Sequence, residues 1–203
     1  MPRYDYSDAP QPRDFELIPA NTIATLSLHI QGGGAGEDGM LKRSRDGRCA
    51  MLPLEHTLLD GEFAKRKVFE NLIVEGVDHD KAIEISRAKI KAILDSALGL
   101  DPKDVSPQAR AARTKSYKEL EGLVFIGKIG IEKGTPKNDG SGENWPDKNI
   151  LAGIITPDRR EWHPVVQPPP FNGGGPAASG SVTPSGSAPS TSTPPIARPG
   201  WAS

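Results

Sequence analysis

The sequence predicts a mainly β fold with one or two helices: an OB-like, five-stranded Greek-key barrel followed by a disordered C-terminal tail. Three observations predict this architecture. Several short segments alternate between apolar and polar residues, one longer segment has helical periodicity, and Pro, Gly, Ser and Thr dominate the chain beyond residue 163. The expected order of three strands, a helix and two strands is that of the OB fold. A ferredoxin-like or other α+β sheet is the alternative.

The first strand is predicted over residues 22–31, where Leu26, Leu28 and Ile30 alternate with polar residues. A glycine-rich loop of residues 32–47 follows, and loops of this length in compact domains are usually functional or disordered. The second half of the loop and the position just after it carry a group of cations, here called the loop cluster: Lys42, Arg43, Arg45 and Arg48.

The second and third strands form a predicted hairpin over residues 52–74. Its first segment has Leu or His at every second position, which is typical of a strand with one buried face: Leu52, Leu54, His56 and Leu58. We interpret His56 as a satisfied, semi-buried side chain. Asp60-Gly61 favours a turn, and the β-branched and aromatic residues of 68–74 predict the returning strand. The connection carries three adjacent cations, here called the hairpin cluster: Lys65, Arg66 and Lys67.

A helix is predicted over residues 78–99, with Asp78 or Asp80 as its N-cap and Gly99 as its C-cap. Its apolar residues share one face: Ile83, Ile90, Ile93, Leu94, Ala97 and Leu98. A second, shorter helix is expected over residues 108–121, a segment rich in Arg and Lys.

The last two strands are predicted over residues 123–133 and 150–156. Gly127 and Gly130 in the first of them indicate bulges or sharp curvature. A long polar loop, 134–149, connects the two strands. In an OB fold, this loop and loop 32–47 would flank a groove that binds oligonucleotides or oligosaccharides.

The net charge of the chain does not by itself indicate a nucleic-acid or membrane partner, because 25 basic residues are balanced by 26 acidic ones. No apolar run approaches the roughly 20 residues of a membrane-spanning helix, and the N-terminus lacks the apolar core of a signal peptide. We therefore expect a cytoplasmic protein with no membrane partner. The expected organisation is a flexible arm (1–18), the OB-like domain (19–162) and a tail (163–203) too poor in apolar surface to fold.

Several short motifs resemble a family of bacteriophage and prophage proteins. The motifs are Leu59-Asp60-Gly61-Glu62-Phe63-Ala64-Lys65-Arg66-Lys67-Val68-Phe69, Leu98-Gly99, and Leu120-Glu121-Gly122 with the strand that follows. That family is classified as a domain of unknown function and is associated with phage recombination and replication modules. Its members are suspected of binding single-stranded DNA. The resemblance implies DNA binding in DNA recombination or DNA replication, in the cytoplasm of a host cell.

The candidate nucleic-acid-binding residues are cations and one aromatic: Lys42, Arg43, Arg45, Arg48, Lys65, Arg66, Lys67, Lys128, Trp145 and Lys148. Each contact of Lys or Arg with a phosphate would release counterions, so the affinity would fall as salt rises. A further basic stretch, residues 103–118, could extend the path of the phosphates. The alternative interpretation is that these groups are unrelated solvated patches.

Aromatic residues make up only 5% of the chain, so phosphate contacts should dominate over base stacking. Trp145 lies in a polar loop and is the preferred stacking residue, with Phe63 second. We assign Phe69 and Phe125, which lie on predicted strands, to the core.

No arrangement of residues indicates an enzyme. The stretch 32–36 lacks the Gly-Lys-Ser/Thr of a phosphate-binding loop. Asp78, His79, Asp80 and Glu84 could hold a metal, but acidic residues also suit the start of a helix. We therefore expect no catalytic residue, no metal and no cofactor.

Two functional hypotheses follow. The first is a phage-type single-stranded-DNA-binding accessory protein of replication or recombination. The second is a non-catalytic protein-interaction module, such as a recombinase adaptor or an inhibitor of a host factor. The tail motivates the second hypothesis, because it could contact phage recombination or replication proteins.

Overall fold

The computed structural model describes residues 16–137 and 141–168. In this part of the chain six strands form one antiparallel sheet: β1 (Ile23–Ile30), β2 (Lys42–Arg43), β3 (Cys49–Leu58), β4 (Lys67–Gly76), β5 (Val124–Glu132) and β6 (Lys148–Ile154). Two α-helices, α1 (Asp80–Leu98) and α2 (Pro107–Arg113), and a 3₁₀ turn (Tyr117–Leu120) lie between β4 and β5. The predicted mainly β class is confirmed.

Strand β3 organises the sheet. One of its edges pairs with β4, and the other pairs first with β2, at Ala50 and Met51, and then with β1, from Leu54 to Leu58. On its far side β1 pairs with β5, and β5 pairs with β6. A register shift between Lys128 and Ile129 of β5 is consistent with the predicted irregularity near its glycines.

The sheet is open and has six strands, whereas the sequence predicted an OB-like, five-stranded Greek-key barrel. Among the described strands, β4 and β6 have no hydrogen-bonded pairing with each other. A side chain of α1 spans this opening, because the Lys89 ammonium donates hydrogen bonds to Glu70 on β4 and to the Leu151 carbonyl oxygen on β6. Strand β2 was not expected at all, since its residues lay in the predicted loop 32–47.

The core lies on one face of the sheet, where alternate residues of each long strand point inward. Its fully or almost fully buried side chains are Leu26, Leu28, Leu52, Leu54, Leu58, Val68, Phe125 and Ile129 from the sheet and Ile93 and Leu94 from α1. His56 occupies an inward position of β3 and is also completely buried. The core side chains of β3 are thus the alternating residues that predicted this strand.

Helix α1 ends as predicted and begins differently. Gly99 adopts the left-handed conformation at φ 68° and donates its backbone N–H to the Asp95 carbonyl, as a C-terminal glycine often does. The N-cap is His79, without a side-chain capping bond, so the expected cap at Asp78 or Asp80 is wrong. Asp80 lies in the first turn, where its charge interacts favourably with the helix dipole.

The second helix is shorter than the predicted segment 108–121. Ser106 caps α2 through its hydroxyl, and the helix ends at Arg113. The Arg113 guanidinium turns back to the buried carboxylate of Asp95, with its Nε atom 2.6 Å from Oδ1, and Lys91 binds Oδ2 of the same carboxylate at 2.6 Å. Arg113 of the basic stretch therefore holds the segment after α1 in place.

The segment after β6 packs over the C-terminal end of α1. The Trp162 indole N–H donates to the Ser96 carbonyl at 3.1 Å, and the Gln167 amide bonds to backbone groups of Ala97 and Val124. Most of the predicted arm and tail lies outside the described residues. Within those residues, no helix combines the length and the apolar character that crossing a membrane requires.

Candidate nucleic-acid interface

The two predicted cation clusters lie at opposite ends of β3. In the loop cluster, Lys42 pairs with Met51 of β3, and in the hairpin cluster Lys67 pairs with Thr57. Six residues of extended strand separate these positions, which corresponds to about 20 Å. The structure therefore does not bring the two clusters into one patch, and a nucleic acid would touch both only by running along β3.

Three of the predicted cations form ion pairs on the surface. Arg48 lies 3.1 Å from Asp78, Lys67 lies 2.7 Å from Glu55, and Lys148 lies 3.2 Å from Glu132. All three cationic side chains are at least half exposed, but the Glu55 carboxylate that binds Lys67 is almost buried. The other two pairs are exposed on both sides, and such pairs contribute only about 0–1 kcal/mol. A phosphate group could therefore compete for Arg48 and Lys148.

Four other predicted cations are exposed and have no acidic partner within the described part of the chain: Lys42, Arg43, Arg45 and Lys65. Lys128 is half-buried on β5, where its cross-strand neighbours are Ile23 and Gly153. Since β1 separates β5 from β3, Lys128 has no direct strand neighbour in either cluster. The predicted cations without an acidic partner among the described residues are thus concentrated at the two ends of β3.

Between the clusters lies the surface opposite the core, here called the outer face: Met51, Pro53, Glu55 and Thr57 of β3 with Lys67, Phe69, Asn71 and Ile73 of β4. Phe69 stands opposite Glu55 near the middle of this face, and 53% of it is exposed. The assignment of Phe69 to the core is therefore wrong, whereas that of Phe125 is confirmed.

Glu70 explains why the sequence pattern did not predict the exposure of Phe69. On β4 the inward positions are Val68, Glu70, Leu72 and Val74, and a charged residue among them interrupts the apolar alternation. Phe69 lies on the same face of the strand as the polar residues Lys67 and Asn71, because the three residues are two positions apart. That pattern could have predicted that Phe69 is exposed. Glu70 points inward because partners for its carboxylate lie there.

Those partners form a network under the sheet. His56 Nε2 lies 2.8 Å from one Glu70 carboxylate oxygen, and Lys89 donates to the other. Burial raises the pKa of Glu70, but the His56 hydrogen bond and the Lys89 charge together lower it by more than burial raises it. The pKa of Glu70 therefore lies below its ordinary value of 4.5. His56 Nδ1 is buried without a partner. His56 is thus more deeply buried and less completely satisfied than predicted.

Trp145, the predicted stacking residue, is 59% exposed. Much of the loop that carries it forms an extension of the β5–β6 hairpin, with a hydrogen bond of 2.8 Å from the Trp145 N–H to the Thr135 carbonyl. The indole lines a cavity of about 340 Å³ together with Lys133, Pro146 and Lys148. The ammonium of Lys137 lies 5.7 Å from the indole ring centroid, within the range of a cation–π contact.

The Trp145 cavity depends on a close backbone approach at Gly134. A Cβ atom on Gly134 would lie 1.5 Å from the Trp145 carbonyl oxygen, which leaves no room for any side chain. Glycine at this position therefore allows the two arms of the extension to meet just below the indole.

The Trp145 extension and the hairpin cluster belong to the same end of β1. Leu59, at the start of the β3–β4 turn, donates its N–H to the Thr25 carbonyl of β1. Beside that end, Asn21 donates to the Ile129 carbonyl of β5, the strand that leads into the extension. The loop cluster lies beyond the other end of β1. Phe63, the second stacking candidate, is partly buried against the core.

The described residues contain no group of three or more His, Cys, Asp or Glu side chains that could hold a metal ion. The fold and the surface define a mainly β protein with an open antiparallel sheet, exposed aromatic side chains and separate groups of cations. Models of known protein families do not match the chain, and the comparison with curated proteins gives no significant match. The assignment of a function therefore depends on the surface itself.

Proposed function

We propose that the protein is a single-stranded-DNA-binding accessory protein of phage replication or recombination, as the motif resemblance implies. The observation that carries the proposal is the outer face, where the exposed ring of Phe69 lies between the loop cluster and the hairpin cluster. Single-strand binders combine cations that follow the backbone with aromatic rings on which bases stack. Trp145 with its neighbouring lysines offers a second stacking position.

The strand pairing supports an OB-like interpretation of the fold. The pairing order β4-β3-β1-β5-β6 would result from an OB barrel opened between its third and fifth strands, with β2 as an addition in the first long loop. The OB fold is a partly open barrel, and its second and third strands form the ligand-binding face. In this chain those strands are β3 and β4, which form the outer face.

The expected affinity is modest and depends on salt. If the four unpaired cations, Lys42, Arg43, Arg45 and Lys65, each contact one phosphate, the slope of log K against log salt is about −3, because single strands give about −0.7 per contact. Stacking on two rings would add about 1–3 kcal/mol per base.

The test is a fluorescence titration of a labelled oligothymidine at about 50 and 200 mM salt. The triple variant Lys42→Ala, Arg43→Ala, Arg45→Ala should bind weakly, whereas a matched triple change of exposed cations outside all the predicted basic groups (Lys81, Arg159 and Arg160) should not. Affinity that does not depend on salt, or equal losses in the two triple variants, would disprove phosphate binding by the loop cluster.

The outer face also favours a second candidate function, a non-catalytic protein-interaction module. Met51 and Ile73, which pair with each other farther along this face and are partly exposed, add apolar surface to that of Phe69. Apolar patches with charged margins are typical of protein interfaces. The two candidates differ in what Phe69→Ser would change. It should weaken oligonucleotide binding under the first proposal, and only binding of a partner protein under the second.

A further inference from the structure

A groove beside α1 lies apart from the outer face and from Trp145. Val74, Ile90 and Leu94 form its apolar floor, and Arg87 and Tyr117 stand at its sides. Its volume is about 220 Å³, which suits one large apolar side chain. The elements that build it come from β4, α1 and the turn before β5, so the groove is a product of the tertiary fold.

The groove carries positive charge. Lys91 and Arg113 also line it, and the buried Asp95 binds both of them at 2.6 Å and neutralises only one. Arg87 is exposed and has no ion pair within the described residues. Because Lys91 and Arg113 are held in place, Arg87 is the cation that can reach toward a ligand.

The charges on the two sides of Tyr117 differ. On the other side of Tyr117 lies a second pocket, which is lined by Glu37, Asp38 and Glu75. A ligand with carboxylates would be attracted to the α1 side of Tyr117 and repelled from the other side. The apolar floor requires that the same ligand also carry an apolar group.

We infer that this groove binds an acidic peptide segment of a partner protein, with one bulky apolar side chain on the floor and a carboxylate at Arg87. A nucleic-acid strand fits less well, because the floor is aliphatic and two of the three cations already bind Asp95. This inference is independent of the proposed DNA binding, which concerns a different face of the protein.

The test uses the full chain and three labelled probes in fluorescence anisotropy. The first probe is the peptide Asp-Glu-Asp-Asp-Leu-Phe, the second has Ser in place of Leu and Phe, and the third is an oligothymidine. The first peptide should bind saturably and more weakly at higher salt. The second should bind at least about tenfold more weakly, since its apolar contacts are lost.

The variant Arg87→Glu should weaken binding of the first peptide about tenfold or more, because a charge-assisted contact becomes repulsive. Lys81→Glu, an exposed cation on the same helix outside the groove, is the matched control and should change the affinity less than twofold. Equal thermal stability of the two variants would confirm that the fold is intact.

Three results would overturn the inference: no saturation below about 1 mM peptide, equal binding of the two peptides, or equal effects of Arg87→Glu and Lys81→Glu. Competition by the oligothymidine that Arg87→Glu abolishes would assign the groove to nucleic acid and would also overturn it. An oligothymidine that binds without displacing the peptide would support both proposals.

Discussion

Lys65 of the hairpin cluster has a backbone conformation that is unfavourable for lysine. Its φ is 69°, and its N–H closes the turn on the Leu58 carbonyl at 2.7 Å. This left-handed conformation costs an L-residue other than Asn or Asp roughly 1–2 kcal/mol, and glycine adopts it freely. Glycine also loses more chain entropy on folding, roughly 0.4–1 kcal/mol. Lys65→Gly should therefore stabilise the protein by about 0.5–1 kcal/mol.

For a protein of this size, such a gain raises Tm by about 1–4 °C. Thermal unfolding followed by circular dichroism measures it. Asn21→Gly and Asp78→Gly are matched controls, because these residues have φ values of 71° and 63° but belong to types that tolerate this conformation. Their Tm should rise less. A fall in Tm for Lys65→Gly, or equal gains in all three variants, would refute the reasoning.

The same variant connects backbone strain to function. Under the proposed DNA binding, Lys65→Gly is more stable yet binds oligothymidine more weakly, because one phosphate contact is lost. Lys65→Ala separates the two effects, since alanine removes the charge but keeps the strain. It should bind as weakly as Lys65→Gly without the gain in Tm. Unchanged affinity in both variants would remove Lys65 from the interface.

The remaining predictions concern single side chains. The pKa of Glu70 lies below 4.5 in the folded protein. The stabilising effect of its charge is therefore complete above about pH 4.5 and is lost as the pH falls through that lowered pKa. Glu70→Gln should flatten the acid limb of a stability–pH curve, and an unchanged limb would contradict this. Phe69→Leu should weaken oligothymidine binding about fivefold or more at unchanged Tm, since a stacking ring is replaced; an equal affinity would exclude stacking there. Gly134→Ala should lower Tm because its Cβ would collide with the Trp145 carbonyl oxygen; an unchanged Tm would show that the extension can open without cost.

Local patterns predicted the main elements because each depends on its own residues. The alternating leucines of β3 and the C-terminal glycine of α1 lie where the sequence indicated. The inward orientation of Glu70 was not predictable in the same way, because its carboxylate meets His56 and Lys89, which are distant from it in the chain. The opening between β4 and β6 was not predictable either, since no local pattern shows that two strands remain unpaired.

At the candidate site, the residue types were predictable from the sequence and their spacing was not. The sequence identified its cations and Trp145 as exposed polar-loop residues, but it could not reveal their spacing. That spacing follows from strand register, which places Lys42 and Lys67 at opposite ends of β3. The groove beside α1 gave no sequence signal, because Ile90 and Leu94 resemble an ordinary helix face and only the fold brings Val74 and Tyr117 against them.

Gln167 has a consequence for any shortened form of the chain. Its amide accepts the Val124 N–H at 2.9 Å and donates to the Val124 carbonyl at 2.7 Å, as a neighbouring strand would. A truncation that removed everything from residue 163 would leave one edge of β5 unpaired at this end, since only the other edge pairs with β1. Unpaired strand edges promote aggregation. The resulting loss of soluble protein could be mistaken for loss of a binding partner. A deletion that tests the tail should therefore begin after residue 168.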